Sequence, residues 1–382
     1  MIDTSLSELI AQGENHALEF KSAQVHPDSL ARELVALANT HGGVILLGVE
    51  DSGDIAGVPT DKNYEEWVTN IARENVIPAL DVLITRHWHT EKQVLQIDVP
   101  KGRDKPYQTR QFQFLIRVGS TNRVATQAEL MRLFQQSGMF HYDLQGVDRT
   151  TIRDLNLAQI DDYFAAYQID FRKEEDQVRI LTNTDILDES GRVTLGGLLM
   201  FGINPQRHLP NACISFAHFA GTELDEELLD KQVIGGTLNI QVDTVLAILK
   251  NHIRQPSRIE GGKTVDQIFQ YPEKVFRELL VNACVHRDYA IHGSRIRVFV
   301  FDDRVEFISP GRLPNTVSIE KLRLGVSYAR NPVILKFMEN LRYIDKLGRG
   351  LPMVYRTATQ AGRRVEFAEI GEEFKVVLGL GE

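Results

Sequence analysis

The sequence predicts an α+β protein of two or three domains, on three observations. At 382 residues the chain exceeds what one hydrophobic core usually organises. Runs with the period-two alternation of strands, such as RIRVFVFDDRVEFIS, stand beside runs with helical spacing, such as YPEKVFRELLVNACV. A hydrophobic content of 43% and a charged content of 25% are those of an ordinary globular protein able to bury sizeable cores. The expected division is 1–135, 136–265 and 266–382.

Composition narrows the function classes. Cys213 and Cys284 are too few and too isolated for a disulfide framework or a thiolate metal site, which fits a reducing cytoplasm. The start MIDTSLSELI has no basic region, and stretches such as VILLGV and GLLMFGI fall far short of the roughly 18 apolar residues of a membrane span. No export and no membrane partner are expected. A net charge of −9 argues against coating nucleic acid with the whole surface, so any such contact must be local.

In order, Leu6–Ile10 reads as a short helix ended by Gly13, and GENHALEFKSA as a half-buried strand with Leu18 and Phe20 inward and Glu19 and Lys21 outward. Pro27–Asn39 is an amphipathic helix with Leu30, Leu34, Val35, Leu37 and Ala38 on one face, capped by Asp28 or Ser29. The turn at His41, Gly42 and Gly43 leads to the strand VILLGV, EDSGD turns the chain, and IAGV returns as a strand. His87 and His89 flank Trp88 in a further strand run; with no third ligand nearby they are expected to be a surface pair. Between Lys101 and Arg132 lie Lys101, Arg103, Lys105, Arg110, Arg117, Arg123 and Arg132, against Asp104 and Glu129 only. Phosphate contact is the natural use of that patch, whereas Tyr107, Phe112 and Phe114 are expected to fill the sheet core rather than stack on bases.

The middle of the chain is plainer. Tyr142 to about Asp188 reads as a connector around the helix LAQIDDYFAAYQI, Leu195–Glu223 as a helix and a strand, and Gly235–Arg254 as a helix around Val242, Val245 and Leu249. GGKT is no phosphate loop, because the glycine that motif needs five residues before Gly262 is Ser257 and no buried strand precedes it.

The stretch Tyr271–Tyr289 is the organising one. Pro272 suits a first helical turn, and Val275, Phe276, Leu279, Leu280, Ala283 and Cys284 form one apolar arc. Glu278, Asn282 and His286, four residues apart, stack as a polar strip that can line a cleft. A carboxylate and an amide at that spacing suit nucleotide hydrolysis, Glu positioning water and Asn holding magnesium beside phosphates. A hairpin pattern then leads into SPGRLP at Ser309–Pro314, and GRGLPMV follows at Gly348–Val354.

Helix, hairpin and two glycine turns in that order resemble the ATPase fold shared by gyrase, histidine kinases and MutL. More narrowly, ELLVNACVHRDY, ISPGRLP, ARNPVILKFM and DKLGRGLPMV resemble the ATPase-like α/β sandwich of bacterial Schlafen AlbA-type proteins described as transcriptional regulators. The resemblance implies nucleotide binding by Glu278, Asn282, His286, Gly311, Gly348 and Gly350, with ATP and a metal ion on Asn282. It departs at Ser309, which stands where the ATPases carry an Asp that reads the adenine amino group; a hydroxyl accepts without a carboxylate's charge.

The amino-terminal wording, GENHALEFKSA, ALANTHGGVILLGVEDSGDIAGV and FLIRVGSTNRVATQAEL, is similar to the Schlafen AlbA-like mixed α/β domain from Glu14 to about Phe134. That resemblance implies nucleic-acid binding and, in Schlafen proteins, metal-dependent cutting of structured RNA. Glu14, Glu19 and Asp51 would be the acids that hold magnesium or manganese, with Lys21 beside the phosphate. The plainer alternative makes Glu19 and Lys21 outward strand residues and Glu50–Asp54 a polar turn. With no room after the last hairpin for the winged helix that relatives carry, DNA reading is expected of the amino-terminal domain. The expected function is a nucleic-acid-binding regulator, DNA or RNA, tuned by ATP through a degenerate ATPase-like domain. The rivals are a metal-dependent endonuclease and a homo-oligomeric assembly protein whose ATPase-like half is a dimerisation scaffold.

Overall fold

Alternating and helical periods resolve into elements much where the spacing puts them. The structure, a computed structural model, describes residues 6–138, 140–253, 258–260, 263–265, 271–313, 317, 319–325, 328–344 and 349–380. The chain divides into two compact units, Met1–Phe140 and His141–Glu382.

The first unit runs α1 (Leu6–Gln12), β1 (Leu18–Lys21), α2 (Pro27–Asn39), β2 (Gly43–Leu47), α3 (Tyr64–Glu74), β3 (Val76–Ile77), β4 (Leu83–His89), β5 (Lys92–Val99), β6 (Gln108–Thr109), β7 (Leu115–Val118), β8 (Thr121–Val124) and α4 (Gln127–Gln136). Its main sheet has the order β1-β2-β5-β4, with β1 and β2 parallel and the other pairs antiparallel. The apolar arc of α2 packs with Ile45, Leu47, Leu95 and Ile97 in one cluster. Leu18, Phe20, Leu46 and Val94 form a second, against which Leu6, Leu9 and Ile10 of α1 pack.

Because both faces of β1 are covered, Glu19 does not point to solvent as alternation suggested; it is 5% exposed. Two smaller expectations also change. His26 caps α2, its ring accepting from the Asp28 N–H at 3.3 Å, since Pro27 takes the first helical position and moves the cap two residues before Asp28 and three before Ser29. IAGV forms only two isolated bridges, Val49 to Ile55 and Val58 to Gln93, because Gly48, Gly53 and Gly57 hold φ of 101°, 86° and 83° and curl the chain.

The second unit runs α5 (Leu157–Ala165), α6 (Gln177–Asn183), α7 (Leu195–Phe201), β9 (Ile214–Phe219), β10 (Leu228–Ile234), α8 (Leu238–His252), β11 (Arg258–Glu260), β12 (Lys263–Val265) and α9 (Glu273–Val285). It continues through β13 (Ile296–Val300), β14 (Arg304–Pro310), α10 (Ile319–Arg323), α11 (Pro332–Asn340), α12 (Gly350–Gln360), β15 (Val365–Ile370) and β16 (Glu373–Gly379). One sheet of order β10-β9-β13-β14-β16-β15 carries it. The stretch expected as a separate middle layer is part of this unit. β9 pairs in parallel with β13, Phe216 opposite Val298, and every residue of α7 is buried in the core that also holds α9. A helix buried on all sides belongs inside a core, not in a connector.

Helix α9 keeps its expected arc and buries Val281 and Val285 as well, since it meets α8, α12 and β14 together. The strip of Glu278, Asn282 and His286 is left as its less buried edge.

Candidate functional site

That edge opens on a cavity of about 340 Å³ whose lining includes Glu278, Asn282, His286, Ser309, Gly311 and Gly350. Apolar side chains of β14, α11, α12 and β16, among them Phe307, Leu335, Leu351 and Val376, form much of the remaining wall. Five of the six nucleotide-binding residues named from sequence therefore line one cavity; the sixth, Gly348, lies outside the described residues.

Within the strip, the Asn282 amide nitrogen donates to the Glu278 carbonyl at 2.7 Å and to the Glu278 carboxylate at 2.6 Å. Gly350 opens α12, and a Cβ there would fall on the Glu278 carboxylate, so glycine lets the carboxylate approach the helix start closely. The carboxylate thereby sits at the positive end of the α12 dipole. Gly311 turns with φ of 111°, and a Cβ there would meet the Arg330 guanidinium. Ser309 donates its hydroxyl to the Ala283 carbonyl at 2.8 Å, which spends its one proton on the helix and leaves lone pairs alone for any ligand. Burial and the Arg330 charge push the His286 imidazole down to about 4, so the ring is neutral near pH 7.

Arg330 of the cavity wall and its neighbour Asn331 escaped the sequence reading. Arg330, buried, donates to the His286 carbonyl at 3.0 Å and to the Arg312 carbonyl, and burial holds its guanidinium below the ordinary value. Asn331 donates to the carbonyls of Val285 and Arg287 at 2.7 and 2.8 Å. Together they satisfy backbone that α9 leaves open at its end. ARNP carried the signal, a polar pair directly before a Pro-started helix, but nothing local says which carbonyls it meets.

In the first unit the predicted acids form no three-ligand group, although Glu14 and Glu19 both act on Lys21. Glu19 pairs with Arg117 at 2.6 Å and with Lys21, while Glu14 accepts from the Phe20 N–H at 3.0 Å and Asp51 lies exposed in its turn. The acid that does join Glu19 is Glu33 of α2, which pairs with Arg117 at 3.3 Å and Lys21 at 3.5 Å. Burial and the neighbouring Glu19 push its carboxyl up. Against the burial that would lower it, the Glu19 hydrogen bond and Glu33 hold the Lys21 ammonium above its ordinary value. Glu33 stands three residues after Leu30 and four before Leu37, on the apolar arc of α2, and that misplaced charge was the available signal.

Among the described residues no group of three or more His, Cys, Asp or Glu is arranged to hold a metal ion. Glu14, Glu19 and Asp51 are not among any such group. Glu19 and Glu33 are ion-paired with Arg117 and Lys21, and one buried Glu19 carboxylate oxygen has no hydrogen-bond donor among the described residues. His87 is bound to Gln96 at 2.9 Å on β4, with no metal partner among the described residues.

The basic patch is sorted in the same way. Arg117 is buried, donating also to the carbonyls of Asn15 at 2.7 Å and Leu18 at 3.1 Å. Lys105, 1% exposed, donates to the Thr40 carbonyl at 2.8 Å. Both leave the solvent-facing set. Arg123 is exposed but forked onto Glu129 at 2.8 and 2.6 Å, and that hydrogen bond pulls the Glu129 carboxyl down to about 2. Arg103 and Arg110 are exposed and Lys101 half-buried. Tyr107 is buried, as expected of a core aromatic; Phe112 is 75% exposed, against expectation.

Residues 14–126 match the family described as "Schlafen, AlbA_2", and residues 293–378 that described as "Putative ATP-dependent DNA helicase recG C-terminal". The chain thus has a Schlafen AlbA_2 domain at its amino end and a RecG-like ATPase-type domain at its carboxyl end, in an α+β architecture. No curated protein matches it. Among solved structures, the DIP2311 protein from Corynebacterium diphtheriae is similar at 22% identity and a TM-score of 0.48 over 95% of this chain. This chain spans 65% of that one. The N-terminal domain of a helicase RecG-related protein from Nitrosomonas europaea is similar at 23% identity and a TM-score of 0.26, covering 32% of this chain and 90% of that one. No helix among the described residues is long and apolar enough to cross a membrane.

Proposed function

We propose that this chain, an AlbA_2 domain followed by a RecG-like ATPase-type domain, is a nucleic-acid-binding regulatory protein whose carboxyl-terminal cavity takes ATP weakly. The observation that carries the reading is the meeting of Glu278, Asn282, His286, Gly311 and Gly350 around one cavity. Asn282 has its amide nitrogen engaged, so its carbonyl oxygen is the end that suits a hard cation. A magnesium ion held there would offset phosphate charge. The base end lacks a charged reader, since Ser309 accepts without charge. Losing a charge-assisted hydrogen bond of roughly 1.5–3 kcal/mol moves affinity on the order of tenfold to a hundredfold toward the millimolar range. ATP at such affinity reports its own concentration. Nucleic acid is the partner of the first unit, through Lys101, Arg103 and Arg110. Glu19 and Glu33 are held by Arg117 and Lys21, so the exposed cations and not these acids carry that contact.

The test is anisotropy of labelled tRNA, single strands and duplex DNA against the full chain, with and without ATP and magnesium, and again with manganese. Binding that weakens steeply with salt, shifts with ATP and leaves the probe uncut is expected. Failure to bind any probe would overturn the reading, and manganese-dependent cutting lost in Glu19→Gln would replace it with an endonuclease.

A further inference from the structure

The residues Thr109–Gln113 form a small closed turn between β6 and β7. Thr109 N–H donates to the Gln113 carbonyl at 3.0 Å, Phe112 N–H to the Thr109 carbonyl at 2.9 Å, and Gln113 N–H to the Thr109 hydroxyl at 3.3 Å. The turn is braced from outside as well. Arg110 N–H donates to the Asn75 carbonyl at 3.1 Å, and the Arg32 side chain of α2 donates to that of Gln113.

On this rigid support stands Phe112. Its φ is 59°, the left-handed region that a bulky side chain rarely adopts, and its side chain is 75% exposed. It is the only phenylalanine among the large exposed apolar side chains of the described residues. A core role is excluded by that exposure, and a turn with no use for an aromatic would take Gly or Asn at such a φ. Strain held by surrounding hydrogen bonds at one displayed side chain is the pattern of a binding contact.

The neighbouring charge says what is bound. From Lys101 to Gln113 the chain carries Lys101, Arg103, Lys105 and Arg110 against Asp104 alone, and Lys105 is turned inward. Arg110 and Arg103 are exposed on the segment that displays the ring. An aromatic face among cations suits an unpaired base with its phosphates: every base has a π face to offer, whereas a base inside a duplex already has both faces covered.

We propose that Phe112 is a stacking platform for an unpaired base, with Arg110 and Arg103 on the flanking phosphates, so that the first unit selects single-stranded or looped nucleic acid over intact duplex. The proposal rests on the nucleic-acid-binding reading above. The test uses the full chain and labelled single strands of DNA and of RNA beside a duplex of equal length. Phe112→Ala should weaken single-strand binding about tenfold, the scale of one lost base stack, and leave duplex binding unchanged. Phe112→Trp should retain affinity, and its added emission should be quenched on binding. Equal single-strand affinity for Phe112→Ala, equal loss on both probes, or a change in sedimenting mass in place of affinity would each overturn the proposal. An unaltered protein that binds no probe would instead sink the underlying reading, and this one with it.

Discussion

Gly350 and Arg117 show how much one position decides. Alanine at 350 puts a Cβ onto the Glu278 carboxylate, so the carboxylate or the start of α12 must move. Gly350→Ala should abolish the heat of ATP binding in calorimetry while nucleic-acid affinity of the first unit stays within about twofold, as expected of separate sites. Arg117 is a buried cation between two carboxylates, and removing one partner of such a set costs on the order of 3–5 kcal/mol. Arg117→Met should therefore lower the unfolding midpoint, whereas Arg103→Ala with Arg110→Ala should leave it in place and flatten the salt dependence of binding by about two phosphate contacts. A double variant with an unchanged salt slope would make those arginines surface decoration.

At the scale of elements, α11 is held by a residue far from it in sequence. The Asp143 carboxylate, 0% exposed, accepts from the N–H groups of Val333 at 2.7 Å and Ile334 at 3.1 Å, the first turn of the helix that carries Leu335 and Glu339 into the cavity. Burial pushes this carboxyl up to about 6, above the ordinary 3.8. The folded state then binds the proton more tightly than the unfolded chain. Stability from this group is full below about pH 4, and on the order of 3 kcal/mol of it is lost as pH rises through 6. His286, held down at about 4, has the opposite sign and loses stability as pH falls from its unfolded 6.5 toward 4. The difference between the parent chain and Asp143→Asn across pH 4 to 7 isolates the carboxyl: the amide should remove its slope and leave the cap in place. Asp143→Ala should cost about 2 kcal/mol in denaturant unfolding because two buried donors lose their acceptor. Parallel pH curves for the parent and Asp143→Asn would contradict this account.

Over the whole molecule, the apolar clusters of the first unit share no residue with that of the second. Calorimetric unfolding should therefore show two transitions rather than one. ATP with magnesium, at about ten times its dissociation constant, should stabilise one of them by about 1.4 kcal/mol and leave the other where it was. A single transition that ATP raises as a whole would show that the units fold as one.

Elements whose evidence is local were legible before folding was known. The apolar stripes of α2 and α9 follow from spacing along one helix, and the strip of Glu278, Asn282 and His286 from a four-residue step. The wording at both ends located the two domains. Tertiary structure alone decided which charges face water. Arg117 and Lys105 look like any cations of a basic run until Glu19, Glu33 and the Thr40 carbonyl are brought to them by other elements. The same holds for Phe112, where a closed turn turned the ring outward against its composition, and for β9, whose partner β13 is set by pairing across many intervening residues. Periodicity reports one element's own faces; pairing, burial of charge and display of a side chain depend on what arrives from elsewhere in the chain.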